Sequence, residues 1–204
     1  MLDNKMLNDI KIAKEKLLNS GVIAFPTETV MGLGVIFDDK SAYDKMNIIK
    51  RRPEDKPYTL MLGNVDDLSK YAYINEISQK IIDAFLPGSL TILLKIKENV
   101  PTWVSHNTGI IGIRIPSHPV ALRLLNEVNK PLLVPSANRS GEKPAMSKKE
   151  VIEIFEDELD FVLDGLVEGG KPSTIIDLTT EEYRIVREGP ITKEMIDNVL
   201  KENN

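Results

Sequence analysis

The sequence contains no cysteine and only two histidines among its 204 residues. Without cysteine there are no disulfides, no thiolate nucleophiles and no cysteine-bound zinc, and two histidines twelve positions apart are too few for a typical structural zinc site. Long apolar runs are missing as well. Stretches such as residues 132–134 and 92–94 fall far short of the roughly 20 residues that cross a bilayer. The charged N-terminal segment has no apolar run behind it that would act as a secretory signal. These absences predict a cytoplasmic chain with no membrane association, whose chemistry rests on Arg, Lys, Ser, Thr, carboxylates and the backbone. Net positive charge is also lacking. The formal charge is −5, with acidic residues gathered in 150–164 and near the C-terminus, which argues against a general nucleic-acid coat built on many phosphate contacts. A local basic pocket stays open, because Lys50, Arg51, Arg52 and Lys56 stand close together.

The length and a hydrophobic content of 42% fit one substantial core, so residues 1–204 read as a single domain. Met6, Ile10, Ala13 and Leu17 recur at helical spacing, and residues 3–19 read as an amphipathic helix. Residues 22–25 suggest a buried strand stopped by Pro26, 41–50 a short helix, 58–62 a strand, and 66–85 one or two helices ending at Pro87-Gly88. Apolar strands are expected at 90–96 and 110–115. Pro119 sits near the first turn of a helix carrying Ala121, Leu122, Leu125 and Val128, and 131–134 form a short buried strand. Ser147 three residues before Glu150 is a capping-box signature for a helix over 148–156. Further strands are expected at 161–163, 174–178 and 183–186, and Thr192 opens a closing helix. This is an α/β pattern of sheets covered by helices, too irregular for a repeating β-α-β design. Residues 140–147 are expected to form a flexible loop.

Four segments carry candidate chemistry. Residues 25–34, Phe-Pro-Thr-Glu-Thr-Val-Met-Gly-Leu-Gly, follow an apolar strand. Two hydroxyls and two glycines there suit a turn that brings backbone N–H groups against a ligand; a plain strand-to-helix turn capped by threonine is the alternative. Neither a Walker A loop nor a Gly-x-Gly-x-x-Gly fingerprint occurs. The second segment, Lys50-Arg51-Arg52-Pro53-Glu54-Asp55-Lys56-Pro57, places four cations within seven residues, suited either to phosphate or carboxylate oxygens or to a solvated turn. Arg114 closes an apolar strand, where a charge is costly unless paired, so either an internal carboxylate or a ligand carboxylate completes it. The run Ser136-Ala137-Asn138-Arg139-Ser140-Gly141 puts small donors at a strand end, a common ligand position in α/β folds; the alternative is a turn held by its own side chains. Residues 169–174 and Arg187 extend this set. Ser136 has no Gly-x-Ser-x-Gly elbow around it. His118 reads as a helix cap, His106 as a surface residue, Trp103 as an anchor for its loop, and Glu153, Glu156, Asp157 and Glu158 as a solvent-facing cluster.

Taken in order, Pro26-Thr27-Glu28-Thr29 with Gly32-Leu33-Gly34, Lys50-Arg51-Arg52-Pro53, Pro87-Gly88 with Thr91, Gly112-Ile113-Arg114-Ile115-Pro116 with His118-Pro119, Ser136-Ala137-Asn138 with Ser140-Gly141, Ser173-Thr174-Ile175-Ile176-Asp177 and Arg187-Glu188-Gly189 resemble the YrdC/Sua5 family of threonylcarbamoyl-AMP synthases. The resemblance is to the short, single-domain form. It implies a twisted open sheet with flanking helices around a large cavity. It also implies a nucleotidyltransferase that makes L-threonylcarbamoyladenylate and pyrophosphate from L-threonine, bicarbonate and ATP with Mg²⁺, for the t6A modification of tRNA at adenosine 37. On that resemblance Thr29 and Arg114 hold threonine, with Ser173 or Thr174 completing the cavity. Lys50 and Arg52 are the implied catalytic residues, and with Lys56, Ser136, Asn138, Ser140 and Arg187 they surround ATP. No protein ligand for the metal is implied. A separate tRNA-modifying transferase is the implied downstream partner, with RNA contact as a further implied interaction.

The chain departs from the family pattern at Met31, where Tyr is usual, at Ser89, where a second Pro is usual, at Lys56, often Asn, and at Met61, where many synthases place His. Tyr58-Thr59-Leu60-Met61 resembles the YciO-like branch. The competing readings are a YciO-like protein acting on another substrate, a non-enzymatic RNA-binding module and a structural interaction domain.

Overall fold

The computed structural model describes residues 2–52 and 57–201. The first helix, α1 (Asn4–Leu18), is capped by Asp3, whose carboxylate accepts from the Met6 amide at 2.7 Å, and it buries Ile10, Ala13 and Leu17. Strands β1 (Ile23–Pro26) and β2 (Met31–Ile36) form an antiparallel pair, followed by α2 (Lys40–Lys50) and β3 (Thr59–Met61). Two helices, α3 (Leu68–Tyr71) and α4 (Glu76–Phe85), precede β4 (Leu90–Lys95) and β5 (Ile110–Arg114). Then come α5 (Pro119–Val128), β6 (Leu132–Leu133), α6 (Lys148–Phe155), β7 (Phe161–Val162), β8 (Thr174–Asp177), β9 (Arg184–Arg187) and α7 (Lys193–Lys201).

Among the described residues nine strands form one wide twisted sheet in the order β7-β1-β2-β6-β3-β5-β4-β8-β9. Three pairings are parallel (β1 with β7, β3 with β5, β4 with β8) and the other five antiparallel. Both faces are covered, which explains why the strands read as nearly continuous apolar runs. In β1 the side chains alternate. Ile23 and Phe25 pack toward α1 and α5 with Leu17, Val120 and Leu124, while Ala24 joins the larger core on the opposite face with Met31, Leu60 and Ile113. No helix among the described residues is long and apolar enough to cross a membrane.

Most expected elements are present within a residue or two. The strand β2 is the exception, because the sequence suggested a glycine-shaped turn over the whole of residues 25–34. The chain in fact reverses over residues 27–30 and then pairs, with Phe25 opposite Gly32. Gly32 and Gly34 are needed for packing rather than for turning: a Cβ on Gly34 would lie 2.8 Å from Cε1 of Phe25, and one on Gly32 2.8 Å from Cγ1 of Val134. A glycine inside a strand here marks close approach by a neighbouring side chain. Residues 140–147, expected as a flexible loop, are anchored at both ends: the Ser140 amide donates to the Lys50 carbonyl at 2.8 Å, and the Met31 amide donates to the Ala145 carbonyl at 3.0 Å. Ser147 caps α6 through the Glu150 amide, but the Glu150 carboxylate reaches back to the Met146 amide.

Candidate active site

The β1–β2 turn is built by hydroxyls. Thr27 Oγ1 donates to the Val30 carbonyl at 2.6 Å, so the 2.9 Å contact between the two threonines has Thr29 as donor and Thr27 as acceptor. Thr29 Oγ1 is then free to accept from Arg114 Nη2 at 3.0 Å. The same Nη2 lies 2.7 Å from Glu28 Oε1. Arg114, 6% exposed, therefore meets both readings left open by its sequence: an internal carboxylate pairs it, and it also lines a cavity. The pairing is incomplete. Arg114 Nε and Glu28 Oε2 are buried and have no partner among the described residues.

The cavity, of about 180 Å³, gathers side chains from segments far apart in the chain. Thr27, Thr29 and Met31 come from the turn and β2, Met61 from β3, Thr91 from β4, Arg114 from the end of β5, Ser136 from the segment after β6, Ser173 from the start of β8 and Arg187 from the end of β9. Arg52, just past α2, completes the set. Its guanidinium donates to the Pro57 carbonyl at 2.9 Å and lies 4.3 Å above the Tyr58 ring. Arg187 is aimed by backbone: Nε and Nη2 both donate to the Ser173 carbonyl, at 3.0 and 2.7 Å, and the Ser173 hydroxyl meets Thr91 Oγ1 at 2.8 Å. Burial, and then the charge of Arg114, pull the Arg187 guanidinium below its ordinary pKa. Both guanidiniums line the same cavity, so each raises the cost of the other's charge.

The structure thus brings Thr29, Arg52, Arg114, Ser136, Ser173 and Arg187 to one cavity, and sends other candidates elsewhere. The side chain of Thr174 is turned away, holding the Ile191 backbone through its hydroxyl at 2.7 and 3.0 Å. Asn138 is packed under its own loop, its amide donating to the Arg139 and Glu142 carbonyls at 2.8 and 2.9 Å. Ser140 Oγ is buried with no partner among the described residues and is absent from the cavity lining. Lys50 is likewise absent from the lining; its ammonium lies 2.6 and 2.7 Å from the Ser136 and Asn138 carbonyls. Burial first, then Arg52 and Arg139, pull Lys50 down to about 7. Lys56 lies outside the described residues.

Secondary expectations sort in the same way. His118 caps α5, accepting from the Val120 amide through Nδ1 and donating from Nε2 to the Leu166 carbonyl. Trp103 packs 4.8 Å from the Tyr43 ring and anchors its loop. His106, expected at the surface, is half-buried because Nε2 meets the Tyr43 hydroxyl at 2.9 Å. The cluster Glu153, Glu156, Asp157 and Glu158 is exposed. Glu28 is the contributor that sequence alone did not single out: Arg114 called for a carboxylate, but nothing in the spacing of two residues 86 positions apart identifies the partner. Among the described residues no group of three or more His, Cys, Asp or Glu side chains could hold a metal ion. The cavity presents guanidinium forks and hydroxyls, the donor set for phosphate and carboxylate oxygens.

The family model described as "Telomere recombination", the Sua5–YciO–YrdC domain, matches residues 15–189. A Methanocaldococcus jannaschii protein provisionally named threonylcarbamoyl-AMP synthase is 37% identical over 183 residues, covering 89% of this chain and 86% of its own. The solved structure of Pyrococcus abyssi Sua5 complexed with L-threonine is similar at a TM-score of 0.90 and 33% identity, over 95% of this chain and 57% of that one. This chain therefore spans little more than half of that protein. Escherichia coli YciO is similar at a TM-score of 0.82 and 32% identity, over 89% of both chains.

Proposed function

The chain belongs to the Sua5/YciO/YrdC family, and from that premise we propose that it is a threonylcarbamoyl-AMP synthase acting in the cytoplasm as one domain. The observation that carries the proposal is the convergence of Arg52, Arg114 and Arg187, with Thr29, Ser136 and Ser173, on a single cavity. Two anions must meet for this reaction, and a cavity with three guanidinium groups suits that task.

The free amine of threonine forms a bond to the carbon of bicarbonate, a C–O bond breaks and water leaves, giving an N-carboxylated threonine. One carbamate oxygen forms a bond to the α-phosphorus of ATP, the bond from that phosphorus to the bridging oxygen of the β-phosphate breaks, and the electron pair leaves with pyrophosphate. The nucleophile is already anionic, so this step needs no strong protein base, which fits a cavity lining without histidine or cysteine. Arg114 would hold the threonine carboxylate by a bidentate fork, with Thr29 beside it. Arg52 and Arg187 would neutralise phosphate charge as it shifts toward the leaving group, a contribution of positioning and preorganised electrostatics. Magnesium, when bound, would supply further charge neutralisation on the phosphates; with no acidic cluster among the described residues to hold it, phosphate oxygens and water would be its ligands. The adenylate would pass to a separate tRNA-modifying transferase.

A second reading is favoured by one feature: Met31 and Met61 both line the cavity and give it apolar surface where the family's synthases often carry Tyr and His. That suits a YciO-like enzyme with another acyl group or an RNA-linked substrate. The deciding experiment incubates purified protein with ATP, magnesium, bicarbonate and labelled threonine. Labelled adenylate and threonine-dependent pyrophosphate are expected. Neither product at saturating substrates, with an active synthase run alongside, would remove the proposed reaction and leave the second reading.

A further inference from the structure

The end of α2 and the loop after β6 meet around one side chain. The helix stops because Arg51 takes a left-handed conformation, φ 51°, and the turn carries Arg52 to the cavity. On the other side Ser136 also faces the cavity. Lys50 lies between them, 1% exposed. Its Nζ is surrounded by the Ser136 carbonyl at 2.6 Å, the Asn138 carbonyl at 2.7 Å and Asn138 Oδ1 at 3.4 Å. Below about pH 7, where Lys50 is protonated, its ammonium has three N–H donors and no acceptor, so these three oxygens match its capacity. The junction is sewn in both directions: the Ser140 amide donates to the Lys50 carbonyl, and the Arg139 guanidinium donates to the Ile49 carbonyl. The Ser136 hydroxyl in turn donates to Asn138 Oδ1 at 2.6 Å.

We propose that Lys50 is a positioning residue, an internal post whose ammonium fixes the Ser136 and Asn138 carbonyls to the end of α2 so that Ser136 and Arg52 face one cavity, while Lys50 itself touches no ligand. A lysine that reached out to phosphate would strand the buried Asn138 carbonyl and leave the Ser136 carbonyl only the Asn138 amide at 3.1 Å, and a buried acceptor left without a donor is costly. Charge-assisted bonds to carbonyl oxygens are, conversely, among the stronger ones available to a lysine. The post depends on the proposed function only for what enters the cavity; the junction itself exists without ligand.

The test therefore begins with ligand-free protein. In Lys50→Met, amide hydrogen exchange at Ala137, Asn138 and Ser140 is expected to quicken about tenfold or more, with α1 unchanged. Unchanged exchange in that loop would overturn the proposal, because a lysine waiting for phosphate leaves the empty protein as it was. A second arm uses wild-type protein labelled with ¹⁵N in lysine and arginine side chains and titrated with magnesium pyrophosphate. The Arg52 and Arg187 signals are expected to move while Lys50 Nζ stays in place, and a Lys50 shift as large as that of Arg52 would also overturn the proposal. If Lys50→Met fails to fold, this titration decides. If nothing shifts, the anion-binding reading of the cavity fails, and the exchange measurement alone judges the post.

Discussion

The pair Arg114–Glu28 offers a way to separate what holds the protein together from what holds a substrate. Replacing Arg114 with Met leaves Glu28 with one oxygen that has lost its donor, at 2.7 Å, and a second that already lacks a partner among the described residues. The two side chains are only 7% and 17% exposed, so water screens the interaction little, and stranding one side of such a pair costs about 3–5 kcal/mol. At roughly 2–4 °C per kcal/mol for a chain of this size, Arg114→Met should melt about 6–20 °C below the wild type. Adding Glu28→Gln removes the stranded charge, and the double variant is expected to recover at least about 1.5 kcal/mol over Arg114→Met. Threonine use should not recover. If Arg114 holds the substrate carboxylate, kcat/KM for threonine falls roughly 30-fold or more in both variants, from the loss of about 2 kcal/mol or more of charged contact, while KM for ATP changes little. Urea denaturation and threonine-dependent pyrophosphate release, measured on the wild type, both single variants and the double, provide the cycle. A double variant with wild-type threonine kinetics would refute the substrate role. A coupling below about 0.5 kcal/mol would refute the structural one.

Two further outcomes follow from packing and from titration. Gly34→Ala drives a methyl group to 2.8 Å from Cε1 of the fully buried Phe25 and should lower the urea midpoint by an amount equivalent to about 1–3 kcal/mol; an unchanged midpoint would show that the Phe25 ring has room to move. The His118 ring is held below its usual pKa mainly by burial. Between that lowered value and the unfolded value of roughly 6.5 the unfolded chain binds more protons, so the stability His118 contributes is complete above the unfolded value and is lost as pH falls through the folded one. Wild-type stability should therefore drop as pH falls below about 6.5, with a smaller drop in His118→Asn; equal drops in the two proteins would count against this.

What the sequence revealed and what it hid divide along a physical line. The amphipathic α1, the apolar β4 and β5 and the cap at His118 were legible because their signals are local, set by spacing and by residues within three or four positions. The strand β2 was hidden because glycine weakens strand propensity, and the reasons for Gly32 and Gly34, Val134 and Phe25, lie across the sheet. Among the cations, Arg114 and Arg187 end strands and Arg52 lies just past a helix, and all three line the cavity. Lys50 shares a segment with Arg52 and looks equivalent in sequence, yet the left-handed turn at Arg51 separates a buried amine bonded to backbone from a guanidinium at a cavity. Ser173 and Thr174 divide in the same way, because successive residues entering β8 point to opposite sides of the sheet, one to the cavity and the other to the Ile191 backbone. Direction, rather than identity, was what the sequence could not give.

The wall is electrostatically expensive. Glu28 pairs directly with the Arg114 guanidinium, and Arg187 is disfavoured as a cation by burial and by the charge of Arg114. Gathering these charges therefore works against folding, and the fold answers by bonding each arginine to a neighbouring group: Arg187 to the Ser173 carbonyl, Arg52 to the Pro57 carbonyl and the Tyr58 ring, Arg114 to Glu28 and Thr29. Fixing the forks before substrate arrives means that little reorganisation remains when charge moves from carbamate to leaving diphosphate. It also sets a limit, because cations that draw two anions together hold the diphosphate product as well. A site of this kind gains rate in the bond-making step and gives some of it back at release, so the strength of the field has an optimum rather than a maximum. Glu28, which lowers the charge presented by Arg114 without removing its fork, is placed where such an adjustment would be made.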